Sequence, residues 1–345
     1  AVTLLLIWIY TYQGGIRTIV YTDAIQTGFM LLAVILTLVF IGRELQLGPG
    51  GMISAIRDSD YGQVFFWDSG PKSFFWKQFL SGAAIATVMT GLDQDMMQKN
   101  NSCPNIRDAQ KNMFTFSVVL VLVNILFVGL GALLYIYGSN FGIELPLKTD
   151  HVYPALALNQ FPLFFGAVFL IGLIAAAFSS ADSALTALTT SFCVDILGFK
   201  EGSNDGKSTR YMVHLSFSFL ILIICYVFYT SSGGDVLGNL FRAAGFTYGP
   251  LLGLYMFGLF TKREIKDKLA PFVCVLAVAI CLYFAGQDIV GGLAGFSPER
   301  ILAWKNDVKT LLGGYEIGFE ILIYNGILTS LGLFAISSPS KKLTN

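Results

Sequence analysis

Charge is scarce in this sequence. Only 13% of its 345 residues are Asp, Glu, Lys or Arg, about half the share usual in soluble domains. Histidine is rarer still, with His151 and His214 alone, and no HExxH, paired-histidine or Ser/His/Asp arrangement accompanies them. Few groups are left to move a proton, so an enzyme is not expected. The five cysteines, Cys103, Cys193, Cys225, Cys274 and Cys281, show no CxxC spacing. That pattern argues against a disulfide framework and against a zinc or other transition-metal site, and the thiols read as small apolar residues. Lysine and arginine balance the acids to a net charge of +0, and no nucleic-acid partner is expected. No soluble domain, repeat array or low-complexity tract is visible.

What the chain has in abundance is hydrocarbon: 54% hydrophobic residues and a mean hydropathy of +0.66. Runs long enough to cross about 30 Å of lipid recur near residues 16–42, 73–98, 113–137, 162–197, 211–230, 236–260, 270–287 and 318–337. An all-α polytopic membrane protein with eight complete spans is expected. Residues 1–12, AVTLLLIWIYTY, lack a basic leader and a small-residue cleavage site. They read as the second half of a cut span rather than a signal peptide, and the chain as the carboxyl-terminal portion of a longer protein.

The connecting segments alternate in charge. One set carries Arg17; Lys99, Arg107 and Lys111; Lys200, Lys207 and Arg210; Lys262, Arg263, Lys266 and Lys268; and Lys341 and Lys342. The other set, 43–72, 138–161, 231–235 and 288–317, is longer and holds fewer cations. Cations concentrate on the cytoplasmic side, which places the first set and the carboxyl terminus inside a plasma (inner) membrane. Between Glu144 and Pro162 a short apolar stretch, YPALALNQF, cannot span; a helical lid over the outer face and a plain connection are both open.

Chemistry concentrates in the fourth run, AAAFSSADSALTALTTSF at 175–192. Residues three and four apart share a helix face, which groups Ala176, Ser179, Ser180 and Ser183, with Asp182 three residues after Ser179. Hydroxyls, backbone carbonyls and one carboxylate are the ligands hard cations take, and sodium suits a reversible site of this kind. Small residues and serines also line ordinary helix contacts in membranes. That alternative leaves Asp182 unexplained, because a carboxylate at membrane depth costs roughly 2.5–3.5 kcal/mol.

Other intramembrane charges carry paired readings. Asp23, with Gln26 one turn on, could neutralise or relay a second cation, or could be a polar end near water. The segment GLDQDMMQK sets Asp93, Gln94 and Asp95 behind Gly91, where a relaxed helix would resemble the broken helices at which transporters bind solute. An acidic pair neutralised by Lys99 is the alternative. Arg242 needs an anion, and an internal ion pair, with Asp95 or Asp93, is weighed against an acidic substrate. Gly238, Gly245, Gly249, Gly253 and Gly258 around Pro250 imply close helix packing and a bend.

These segments resemble the sodium/solute symporter family. GGIRTIVYTDAIQ is similar to its signature, LIAAAFSSADSAL followed by TTSF to its sodium-binding helix, and DQDMMQK with AQK at 109–111 to the inner end of its substrate-side helix. The resemblance implies a leucine-transporter-like bundle of inverted repeats, here incomplete. Residues 1–42 would end the first repeat, 73–260 form the second, 270–337 supply peripheral helices and 338–345 a cytoplasmic tail, all within one transmembrane domain. It implies sodium ligands at Ala176, Ser179 and Ser180, and a second sodium or ion relay at Asp23, Asp182 and Ser183. A substrate or gate region would fall at Met89, Thr90, Asp93 and Gln94. Two departures, Val88 and Met89 in place of a gating aromatic pair and Leu120 in place of a lysine, weigh against a simple hexose.

The expected activity is therefore sodium-coupled uptake of a small polar organic solute by alternating access in a lipid bilayer, with sugar, sialic acid, amino acid and vitamin classes all open. A membrane sensor that retains a symporter-like domain is the alternative. A channel is disfavoured, since no short filter loop lies between two spans.

Overall fold

The computed structural model describes residues 2–199, 206–231 and 236–339, with side chains from residue 21 onward except at 228, 230, 231 and 293. Lys200, Lys341, Lys342 and most of the segment 231–235 fall outside that range, as does the side chain of Arg17. The described chain is helical nearly throughout. Its thirteen helices are α1 (Val2–Glu44), α2 (Pro49–Arg57), α3 (Phe75–Gly91), α4 (Gln94–Asn101), α5 (Ile106–Asn140), α6 (Val152–Asn159), α7 (Leu163–Ser191), α8 (Lys207–Ser231), α9 (Val236–Phe260), α10 (Ala270–Ala285), α11 (Gln287–Leu293), α12 (Pro298–Leu311) and α13 (Ile321–Ile336).

Among the described residues, five helical segments are long and apolar enough to cross a membrane: Tyr21–Glu44, Ile106–Asn140, Leu163–Ile196, Lys207–Val227 and Val236–Phe260. The other three expected spans, at 73–98, 270–287 and 318–337, form shorter apolar helices. Helices α10 and α13 have 16 residues each, about 24 Å at 1.5 Å per residue, and the run at 73–98 breaks after the 17 residues of α3. The expected division between a cut span at 1–12 and a fresh one from residue 16 is also absent, because α1 continues through Gly14 and Gly15. Glycine weakens a helix but keeps its N–H donor, so unlike proline it need not end one.

Two compact units are present, residues 1–63 with 94–236, and residues 64–93 with 237–345. The first is built on α1 and α7, which pack along much of their length. Gly172 permits the approach, since a Cβ there would lie 2.7 Å from that of Ala33. Val34, Phe40 and Ile41 of α1 join Leu130, Leu133, Leu134 and Tyr137 of α5 in its core. Helix α6 is docked on this core rather than loose. Its Val152, Leu156 and Ala157 are buried there, and the Tyr153 hydroxyl shares a 2.7 Å hydrogen bond with that of Thr37.

The second unit packs α9 and α10 against α13, which also touches α3. Gly245, Gly249 and Gly253 meet Ile321, Asn325 and Thr329 in successive four-residue steps, the small-residue seam that lets membrane helices close on one another. Lys77, 7% exposed, donates to the carbonyls of Gly70, Pro71 and Glu316 and lies 3.5 Å from the centre of the Tyr315 ring. Burial raises the Tyr315 pKa, and its hydroxyl donates to Glu320 at 3.0 Å. A two-residue antiparallel ladder joins β1 (Arg263–Glu264) to β2 (Ser338–Pro339), and Arg263 also bonds Ser337 through its side-chain hydroxyl and backbone carbonyl.

Candidate functional site

The first unit brings three of the sequence-selected residues onto one point. Asp23, in the first turn of the apolar part of α1, faces the serine stripe of α7. Ser179 Oγ donates to Asp23 Oδ1 at 2.7 Å, and Ser183 Oγ to Asp23 Oδ2 at 3.2 Å. The four-residue spacing stacks both hydroxyls on the face that α7 presents to α1.

Lys99 of α4 completes the cluster. Its ammonium lies 2.8 Å from Asp23 Oδ2, 2.9 Å from Asp95 Oδ2 and 3.2 Å from Ser183 Oγ. All three of its donors thus have an oxygen in reach. The three charged side chains are only 16–26% exposed. Lysine neutralises Asp95 one turn earlier on its own helix, in the favourable acid-before-base order. The Asp95–Lys99 pairing was legible in the sequence; the 76-residue reach from Lys99 to Asp23 was not.

The remaining α7 residues are placed differently. Asp182 is fully buried, about 100° round the helix from Ser183 and outside the hydrogen bonds that hold Asp23. Ala176 is half-buried and Ser180 exposed, so these two do not join Ser179 on Asp23. At its carboxyl-terminal end α7 passes into a π-helical turn, Phe192–Ile196, a local widening frequent near functional sites.

The helical run that starts at Phe75 is interrupted where Gly91 implied. Helix α3 ends at Gly91 and α4 starts at Gln94, with Leu92 and Asp93 between them out of the helix. Met89 and Thr90 are half-buried in the last turn of α3, while Gln94 is exposed at the start of α4. Arg242 and Asp95, expected as a possible pair, each have another partner. Arg242 bonds Asp288 at 3.3 Å, an acid that Lys305 also holds at 2.6 Å, and Asp95 has Lys99. Each charge is thus paired within its own unit.

A converging set of oxygens from two long apolar helices suits a small monovalent cation: one carboxylate and two hydroxyls give a hard, weakly charged environment. Among the described residues no group of three or more His, Cys, Asp or Glu could hold a metal ion of another kind.

Comparison with known proteins agrees with this chemistry. The sodium/sialic acid symporter SiaT of Proteus mirabilis is 23% identical over 83% of this chain and 59% of its own length. The sodium/sialic acid symporter NanT of Aliivibrio fischeri is 24% identical over 80% of the chain and 56% of its own. Human sodium-coupled monocarboxylate transporter 1 is 23% identical over 87% and 50%. The chain therefore spans little more than half the length of these relatives. No solved structure matches it. The profile of the sodium:solute symporter family matches residues 1–268, and with its apolar spanning helices the chain is an integral membrane protein that belongs to that family.

Proposed function

We propose that this chain forms the sodium-binding part of a secondary transporter that couples inward sodium movement to uptake of a small polar organic solute. The observation that carries the reading is the approach of Ser179 and Ser183 of α7 to Asp23 of α1, a carboxylate with two hydroxyls between apolar helices. A carboxylate placed there beside two hydroxyls suits a cation, and its cost at membrane depth points to a function.

One sodium would be held by the Ala176 carbonyl and the Ser179 and Ser180 hydroxyls. A second would be held or relayed by Asp23, Asp182 and Ser183. Sodium drives a conformational change only by binding one state better than the other, and ligands divided between α1 and α7 favour the state in which the two helices are close. The solute would meet Met89, Thr90 and Asp93 at the end of α3, where backbone groups released from helical bonding can meet polar atoms. In this scheme residues 1–42 would close one repeat, 73–260 would form the second and 270–337 would flank them.

Sodium-driven uptake into proteoliposomes tests it, with sialic acid, monocarboxylates, sugars, amino acids and vitamins as the solute panel. Ser180→Ala should weaken the sodium dependence about tenfold, and Asp23→Asn should lower the Hill coefficient for sodium. Unaltered sodium dependence in both variants would remove the site assignment.

A further inference from the structure

Resting on that sodium reading, we propose that Lys99 is a tethered competitor for the transported cation: its ammonium and sodium contend for the same Asp23 oxygen, and Asp95 is where the ammonium stays when sodium wins. Lys99 thereby sets the affinity of the Asp23 site.

The geometry supplies each step. Lys99 Nζ and Ser183 Oγ both point at Asp23 Oδ2, the oxygen a cation between α1 and α7 would also use. An ammonium 2.8 Å from that oxygen repels a metal ion bound to it at still shorter range, so each weakens the other's hold. Asp95 lies on the same helix as Lys99, one turn away at 2.9 Å, whereas Asp23 is on a different one. Leaving Asp23 therefore costs the ammonium one of two ionic bonds and not its neutralisation, which is what makes the exchange reversible. The flexible four-carbon stem of lysine allows the small movement.

Charge counting agrees. Asp23 and Asp95 with Lys99 leave one net negative charge in the cluster, which a single monovalent cation cancels. Gln26 Oε1, one turn along α1 from Asp23, is buried and without a hydrogen-bond partner. The Gln26 oxygen is an acceptor suited to a cation.

The test measures the sodium concentration giving half-maximal thermal stabilisation of the purified protein, at ionic strength held constant with choline chloride. That readout requires no knowledge of the solute. Lys99→Gln should lower the midpoint at least tenfold, and the gain should vanish in the double variant Lys99→Gln with Asp23→Asn. Asp95→Asn should act in the opposite direction, raising the midpoint several-fold, because the ammonium then has Asp23 alone. The opposed signs distinguish competition from a structural role, in which both variants would merely melt lower. Should Lys99→Gln not fold, Asp95→Asn decides by itself. An unchanged or raised midpoint in Lys99→Gln, or an unchanged or lowered one in Asp95→Asn, overturns the inference while leaving sodium coupling intact. Absence of any sodium stabilisation in the unaltered protein overturns the sodium reading, and the competition with it.

Discussion

Asn325 repairs a defect that Pro250 makes. Proline has no N–H, so the carbonyl four residues earlier, Phe246, loses its helical donor. Asn325 Nδ2 donates to that carbonyl at 3.0 Å and to Gly245 at 3.2 Å, from a position with no exposure at all. Removing the donor leaves a buried carbonyl unsatisfied, at a cost of about 1–3 kcal/mol. Asn325→Ala should lower the melting temperature accordingly. Asn325→Asp should lower it further, since a carboxylate cannot donate and adds a buried charge. A melting temperature for Asn325→Asp above that of Asn325→Ala would show that the donor is not what matters. The proline and the glycines announced a bend and close packing in the sequence, but nothing near them pointed to an asparagine some 75 residues on.

At the scale of elements, the glycine seam of α9 has a direction. A Cβ at Gly245 or Gly253 would lie 2.5 or 2.6 Å from α13, and one at Gly249 would collide with Asn325, whereas one at Gly258 meets nothing within 4 Å. Overpacking a helix contact costs about 1–3 kcal/mol or more. Gly249→Ala should therefore reduce the thermal stability of the purified protein by several degrees, while Gly258→Ala should be neutral or slightly stabilising through helix propensity. Equal effects of the two would refute the seam. The five glycines are indistinguishable by composition; the helical angle separates them, and only the position of α13 says which angle counts. The same holds for α7. Its polar stripe was plain from the spacing of Ser179 and Ser183, but that the stripe turns these two toward Asp23 and leaves Ser180 exposed depends on where α1 lies.

For the whole molecule, the basic and non-basic connections imply sidedness. Residues 261–269 and the end of α13 should share the cytoplasmic face, and the β1–β2 ladder with the Arg263–Ser337 bonds joins those two stretches. Segment 288–317, with α12, should lie outside. In a background without native cysteines, Lys266→Cys should react with an impermeant maleimide only from the cytoplasmic side of oriented vesicles, and Asn306→Cys only from the outer side; both positions are exposed. Labelling of both from one side would overturn the orientation.

The sequence by itself determined that this protein lives in lipid and is helical, because hydrocarbon demands long apolar runs whose backbone groups are satisfied within the segment. It also singled out α7 as the helix on which cation chemistry is expected, since a carboxylate and serines at helical spacing are costly there without a purpose. Tertiary structure alone decided the partners. Asp23 meets Ser179 and Lys99, Arg242 meets Asp288 in place of Asp95, and the apolar runs at 73–98, 270–287 and 318–337 yield shorter helices than their hydropathy implied. Hydropathy and periodicity are properties of one segment, whereas an ion pair depends on the approach of two, and that approach is set by how closely small residues such as Gly172 allow helices distant in sequence to pack.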